Sequence, residues 1–413
     1  MNKKIRLGDV ATLITKGTTP TTLGFSFVDD GINFIKIESI DENGNFLPDK
    51  FAHISSECDE KLKRSRLQEN DILFSIAGAI GRTAIVTQSS LPANTNQALA
   101  IIRIPPGTLD YRFLLYALQS QAVAEQSEQH KQGVAQLNLS LKNIADIEIP
   151  SVSAMEQAKI VVNLDAVSDL IAMRKEQLQQ LDQLVKSRFI ELFGDPISNP
   201  KGLPVKTLKQ LSVLITNGNT PKGGSENYVT DGILFIRSQN VWRNRIELDD
   251  VAFIDESTHY NLRKSSLKHK DILITKTGRI NTENSSLGRA ALYLGEDDSA
   301  NINGHVYLVR LDGSVVPEYV ITILTSEAYR KYIRKVCVGG IDKRQINLDQ
   351  VEDFPIILPP IKEQTEFATF VEQTDKLKFA VQNAADLQIT LILTLTKNHW
   401  ERWASVSNKG VKL

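Results

Sequence analysis

The sequence is written twice. Leu13 to Pro20 reads LITKGTTP, and Leu214 to Pro221, 201 positions later, reads LITNGNTP. Further matches follow in the same order. Asp30-Gly31-Ile32 returns as Asp231-Gly232-Ile233, Asp71-Ile72-Leu73 as Asp271-Ile272-Leu273, and Gly81-Arg82 as Gly288-Arg289. Asn94-Thr95-Asn96 returns as Asn301-Ile302-Asn303, Gln136 to Leu139 as Gln345 to Leu348, and Glu156-Gln157 as Glu363-Gln364. A period this long exceeds the ~20–50 residues of solenoid repeats. The repeated unit is a whole domain plus a connector, and two copies of one surface suit a bipartite target.

With 413 residues, 41% of them hydrophobic and 23% charged, the chain has the composition of a soluble protein of two or more domains. No stretch is apolar enough to span a bilayer, and MNKKIRLGDVATLI lacks the core and cleavage site of a signal peptide. Cys58 and Cys337 occupy non-equivalent places in the two copies, so they read as free thiols in a reducing cytoplasm. A net charge of −1 argues against a non-specific polyanion binder but permits one basic and one acidic face.

Each copy has two parts. The first is mixed α and β, with strands predicted at 33–38, 72–76, 83–87 and 98–104, and at 233–237, 272–275, 290–294 and 305–310. A helix is predicted over 111–128 and its counterpart over 317–336. The second part is a long helix, 154–193 in the first copy and about 361–403 in the second. Leu164, Val167, Ile171, Leu178, Leu181, Val185 and Leu192 form a stripe on the first. Phe367, Phe370, Leu377, Val381, Ala384, Leu391 and Leu395 form one on the second. Gly194-Asp195-Pro196 stops the first helix. Neither stripe can stay wet, so the two helices are expected to pack on each other, antiparallel if a pseudo-two-fold axis relates the copies. The expected architecture is α+β: two pseudo-two-fold-related α/β domains (1–152 and 196–359), two long antiparallel coiled-coil-like helices (153–195 and 360–405), and a tail (406–413). Such a frame suits two half-sites on DNA, with the helices as a ruler; it equally suits a duplicated scaffold.

The chain resembles the specificity (S) subunit of Type I restriction-modification systems over essentially its whole length. The residues that carry the resemblance are Leu7-Gly8-Asp9 with Gly17 to Pro20, Glu156-Gln157, Pro359 to Gln364, and the helix end Phe189 to Pro196 (FIELFGDP). Pro150 to Met155 departs from the shorter proline-proline entry seen before the second helix. The resemblance implies two target-recognition domains that read a split, asymmetric double-stranded DNA sequence. It also implies docking of two adenine methyltransferase (M) subunits, and of restriction (R) subunits in some systems, in the cytoplasm and away from membranes.

No catalytic motif is present in the sequence: the adenine methyltransferase signature, a Walker A motif and metal-ligand histidine spacings are all missing. A non-catalytic chain without cofactor is expected, with S-adenosylmethionine, ATP and Mg on the partner subunits. Binding candidates come from comparing the copies, since shared residues build the fold or hold phosphate and differing ones choose bases. The first glycine loops carry Lys16, Thr18 and Thr19 against Asn217, Asn219 and Lys222. Lys36 to Ser39 faces Arg237 to Asn240, including Gln239, after which the second copy adds Trp242, Arg243 and Arg245. Lys276, Thr277 and Arg279 answer an uncharged Ile76 to Ala79. Arg82 and Arg289 are shared, and read either as phosphate ligands or as structural ion pairs. A third glycine loop carries Gln136 in one copy and Lys343, Arg344 and Gln345 in the other. Each of these also reads as turn chemistry or solvated charge. Phe189, Phe193, Ile389 and Leu393 lie off the main seam and are candidates for docking a methyltransferase, or for packing on the recognition domains. A stand-alone DNA-binding protein or repressor, and a non-DNA interaction scaffold, remain open as alternatives.

Overall fold

The computed structural model describes residues 3–129, 138–221, 223–282 and 284–404, the side chains at 3, 392, 393 and 395–404 excepted. The expected tail, Gln136, Lys222 and the side chain of Leu393 lie outside the described residues. The chain divides into two compact units, Met1–Glu176 with Gln382–Leu413, and Gln177–Val381. Each unit therefore holds one mixed domain and part of both long helices.

The two domains repeat one topology. In the first, an antiparallel four-stranded sheet runs in the order Leu13–Lys16, Leu99–Arg103, Ile72–Ser75, Thr83–Ile85. In the second the order is Ser212–Asn217, Val306–Leu311, Ile272–Thr275, Ala290–Leu292. A three-stranded sheet accompanies each: Ala52–Ile54, Ile32–Ile35, Ala93–Thr95 and Ala252–Ile254, Ile233–Ile236, Ala300–Ile302, with the last two strands of each parallel. A short antiparallel pair, Lys3–Arg6 with Glu148–Ser151 or Val205–Thr207 with Pro355–Ile357, ties the start of each domain to its end.

The central strands are buried on both faces, which is why they read as unbroken apolar runs. Alternate side chains go to opposite cores. Ile72 and Phe74 pack with Phe113 and Leu114, whereas Leu73 packs with Ile35, Leu99 and Ile101. Ile272 and Ile274 likewise join Tyr319 and Val320, and Leu273 joins Ile236 and Ile302. At the head of each central strand a carboxylate is locked in a two-pronged ion pair. Arg103 donates from Nε and Nη2 to the two oxygens of Asp71, each at 2.7 Å. Arg310 does the same to Asp271 at 2.9 and 2.7 Å. The repeated Asp-Ile-Leu is thus half of a strand-to-strand lock.

Each predicted domain helix is in fact two, Tyr111–Leu118 with Gln121–Gln129 and Pro317–Thr325 with Glu327–Val336. A serine makes each break: Ser120 Oγ donates back to Ala117 O, and Ser326 accepts from Tyr329 N as an N-cap. The edge and pairing strands at 3–6, 52–54, 93–95 and 148–151 were not expected, being too short for a period to show.

The long helices are Ala154–Phe193 and Ile361–Ala404. Gly194 ends the first in the left-handed region (φ 78°), and Asp195 Oδ1 then accepts from Ile197 N and Ser198 N. In the second unit the helices run antiparallel: Phe193 meets Phe367 edge-to-face at 5.6 Å, and Asp182 pairs with Lys378 at 2.8 Å. On the second helix the seam departs from the expected stripe. Phe367, Val371, Thr374 and Ala385 are buried, while Leu377 and Leu391 are 58% and 46% exposed. The seam accepts polar residues because Thr374 donates to Phe370 O and Lys378 has its carboxylate partner.

A buried glutamine fastens each helix start to its domain. Gln157 accepts from Asp110 N at 2.8 Å and donates to Val152 O at 3.0 Å. Gln364 accepts from Val316 N at 3.1 Å and donates to Pro359 O at 2.8 Å. This explains the repeated Glu-Gln. Replacing Gln364 by Leu leaves an amide N–H and a carbonyl unpaired, and a loss of about 1–3 kcal/mol in urea unfolding is expected.

Phe189 and Phe193, candidates either for docking or for packing on the recognition domain, are core, which removes them as a docking surface. They are 3% and 0% exposed and pack edge-on or stacked against Tyr319 and Phe367. The recognition domain itself covers this face of the helix. Phe189→Ala is expected to destabilise the protein by about 3–5 kcal/mol, read as a lowered unfolding midpoint.

Candidate nucleic-acid interface

Strand register decides which loops stand together. In the second domain Asn217 pairs with Tyr307, Thr275 with Val306, and Ile274 with Ala290. The segments after 217 and 275 and before 290 and 306 therefore leave the sheet at one end. The parallel pairing of Ile236 with Ile302 brings Arg237 and Asn303 to that end too, and Asn303 N donates to Ile236 O. The first domain has the same register: Lys16 with Ala100, Ser75 with Leu99, Phe74 with Thr83, Ile35 with Thr95. Candidate segments scattered over the sequence thus share one loop end in each domain.

The repeated glycine at this end is there for close approach. A Cβ on Gly17 would lie 1.7 Å from Thr95 O, and one on Gly218 1.9 Å from Ile302 O. The shared asparagines are structural. Asn94 is buried and bonded to Asp59, Leu62 O and Ser65; Asn301 is buried and bonded to His259 and Leu262 O. Asn96 and Asn303 make Asx turns onto Ala98 N and His305 N.

In the second domain two candidate loops, 66 positions apart in sequence, form one small sheet. Thr277–Arg279 pairs with Lys343–Gln345, which turns back on Val338–Gly339. Arg279 stands opposite Lys343, and the intervening Ile341 is 91% exposed. Lys343 is exposed with no hydrogen-bond or ion-pair partner among the described residues. Arg279 meets Asp342 at 3.4 Å, Lys276 Nζ lies 5.7 Å from the centre of the Tyr307 ring, and Arg344 donates to Gly340 O. Burial pushes the Tyr307 phenol up to about 12, and it donates to Ile346 O. The adjoining helix turns Lys331 and Lys335 outward.

Several candidate side chains are already spent on the fold. Asn240 is 2% exposed and donates to Glu247 O and Asp250 O, so it cannot reach a base edge. Arg237 and Gln239 both bond Asp250. Asn217 donates to Gly218 O and Gln345 to Asn347. Arg289 is buried, donates to Ser285 O and Asn284 O, and lies 3.8 Å from the centre of the Trp242 ring. Arg82 donates to Ile37 O and Ile40 O. Of the two readings open for these shared arginines, the structure fits the structural one, with carbonyls and a ring as partners rather than carboxylates. Lys36 pairs with Glu38 at 2.9 Å beside the Phe27 ring. Thr19 donates to Gln97, Thr18 is half-buried, and Lys16 and Asn219 are exposed. Gln97 and its counterpart Gly304, followed by exposed His305, escape sequence reasoning because no motif is shared there.

Among the described residues no group of three or more His, Cys, Asp or Glu is placed to hold a metal, and no helix is long and apolar enough to cross a membrane. Cys58 and Cys337 are buried and unpaired with each other. What the loop ends offer is hydrogen-bonding and, in the second domain, cationic groups on rigid strand ends, the equipment for recognition.

A twice-used α+β unit with a long helix after each copy defines a duplicated recognition protein. The profile of the type I restriction modification DNA specificity domain matches residues 2–183 and again 200–391, and the chain belongs to that family. It is 32% identical over 175 residues to the specificity subunit of the type I restriction enzyme EcoBI of Escherichia coli, a match covering 40% of this chain and 35% of that protein. It is 24% identical over 319 residues to the MjaIX specificity subunit of Methanocaldococcus jannaschii, covering 73% of this chain and 70% of the relative. The fold is similar to that of the S subunit of a type I system from M. genitalium, with a TM-score of 0.52 at 14% identity over 96% of this chain and 95% of the other. A chain from a study of type I system assembly gives 0.56 at 16% identity over 96% and 97%.

Lys343→Ala is expected to weaken DNA binding with a salt dependence shallower by about 0.9 in the log–log slope, as for one lost phosphate contact. Binding titrations at several salt concentrations read this directly.

Proposed function

We propose that this chain is the non-catalytic specificity subunit of a type I restriction-modification complex, reading a bipartite, asymmetric DNA target. The observation that carries the reading is the convergence of the candidate loops at one end of the four-stranded sheet, whose strand order is the same in both domains. The loop residues differ between the copies while the buried frame is shared, so the two half-sites should differ and the target should not be a palindrome. Each domain would set its loop end into the major groove at one half-site.

Chemistry would belong to the partners: two adenine methyltransferase subunits with S-adenosylmethionine, and restriction subunits with ATP and Mg where the system has them. Because Phe189 and Phe193 are buried, the helix surface left for docking is a different one. Phe379, Leu387, Ile389 and Leu391 are exposed on the second helix, and Met155, Val162 and Met173 on the first. Apolar groups of this size, left outward on long helices, support a protein partner. The family and this composition favour the cytoplasm as the place of action.

The test is co-expression with the adenine methyltransferase of the same system, followed by mapping of methylated adenines across the host DNA. A split motif with a fixed gap, lost when this chain is omitted, is the expected result. Methylation unchanged without this chain would favour a stand-alone DNA-binding protein instead. Shortening both long helices in register is expected to shorten the gap between half-sites; a fixed gap would remove the helices as the ruler.

A further inference from the structure

The middle strand of the smaller sheet, Ile32–Ile35 or Ile233–Ile236, is followed in both domains by a tight hairpin, closed by the bridge Ile40–Phe46 in one and Val241–Ile246 in the other. The hairpin is braced by the shared arginine, Arg82 through Ile37 O and Ile40 O, Arg289 through the Trp242 ring. In the second domain further bonds make it rigid. Trp242 N donates to Arg245 O at 2.9 Å, Asn244 holds a left-handed backbone (φ 59°), and its N–H donates to Ala290 O at 2.8 Å. That last bond pins the tip beside Arg289, at the loop end of the large sheet.

The tip carries three guanidinium groups in close company. Arg289 is committed beneath Trp242, and Arg245 lies 5.4 Å from the ring centre with its guanidinium on Glu247 at 2.7 Å. Burial and then Arg243 lower the pKa of Arg289, so the three charges feel one another. Arg243 is exposed and has no hydrogen-bond or ion-pair partner among the described residues.

The equivalent tip in the first domain is Asp41-Glu42-Asn43-Gly44-Asn45. Asp41 is consumed by Asn43 N, Asn45 N and Asn45 Nδ2, while Glu42 is exposed without a partner among the described residues. A position that met the phosphate backbone would be cationic in both copies, because every half-site carries the same phosphates. This position reverses its charge. What differs between two half-sites is their bases, and carboxylates and guanidinium groups each have base-edge partners in the major groove.

Resting on the proposed DNA-reading role, we propose that this hairpin tip is a base-reading element, and that Arg243 reads a guanine in the second domain's half-site through O6 and N7. Trp242 and Arg289 are positioning residues for it.

The test uses the full chain in its methyltransferase complex. Methylation maps of wild type and Arg243→Ala are expected to differ at one position of one half-site, where a required guanine becomes any base, with the other half-site and the gap unchanged. In binding assays with the wild-type complex, 7-deazaguanine at that position should weaken binding by roughly fivefold or more. A variant motif identical to wild type overturns the assignment, whether methylation is unchanged or falls evenly, the latter marking a phosphate contact. If the variant methylates nowhere, the modified duplexes decide: no loss of affinity at any guanine of either half-site overturns it. A wild-type complex without a split motif would instead remove the underlying function.

Discussion

Asp271 is buried at the head of its strand, and both its oxygens are taken by Arg310 on the neighbouring strand, with Lys268 N donating as well. Asp71 and Arg103 repeat the arrangement, with Gln68 N as the third donor. Breaking such a pair by removing one partner costs about 3–5 kcal/mol, whereas an apolar pair of the same shape could be as stable. The contribution specific to the ion pair is register. A slip of one residue would exchange the two faces of strands that feed two separate cores, and would carry the lock out of reach. It would also change which residues emerge beside one another at the far end of the sheet. The loop end is therefore set from the opposite edge, by the pairing of one carboxylate with one guanidinium in each domain.

The glutamine clamps extend that order to the long helices. Gln157 and Gln364 use both ends of the amide, one on a domain backbone N–H and one on a carbonyl before the helix. An amide held at both ends fixes the helix about its own axis, so the seam faces a set direction. A seam with threonine and lysine in it still packs because Thr374 donates to Phe370 O and Lys378 pairs with Asp182. The set direction explains why Leu377 and Leu391 stay outside. The helix carries more apolar residues than one seam can cover, and the clamp selects which of them go inward.

Much of this was legible in the sequence, and the exceptions have definite causes. The duplication, the central strands, both long helices and the Gly-Asp-Pro stop follow from period and turn chemistry, which are local. The division of each domain helix at Ser120 and Ser326 was not legible, because a serine inside an amphipathic run is compatible with either a helix or a cap. For Phe189 and Phe193 docking and packing on the recognition domain stayed open, because periodicity shows that a face is apolar but not what covers it. Asn240, Arg237 and Arg289 look like readers in a list of polar loop residues. Only the fold shows them bonded to Asp250, Glu247 O and the carbonyls of 284 and 285. Arg279 and Lys343, by contrast, were chosen independently and stand opposite each other on one small sheet, which no local pattern could have joined.

The duplicated scaffold separates two kinds of polar residue by a simple constraint. Many of the side chains whose hydrogen bonds hold the fold are the same in both copies: Asp71 and Asp271, Asn94 and Asn301, Gln157 and Gln364. A polar side chain that makes no bond within the chain is free to differ. The shared arginines at 82 and 289 look outward in sequence, next to variable loops, yet they turn inward to brace the hairpin. The variable residues beside them, Glu42 and Arg243, keep their charges unpaired on a backbone held by those braces. Leaving a charge unpaired at a rigid strand end gains the fold nothing, and carrying opposite charges there in two copies of one frame gains it nothing twice. On the proposal that each domain reads its own half-site, such groups are explained by what lies outside the chain, and the unequal charge of the two tips is a property of the two targets.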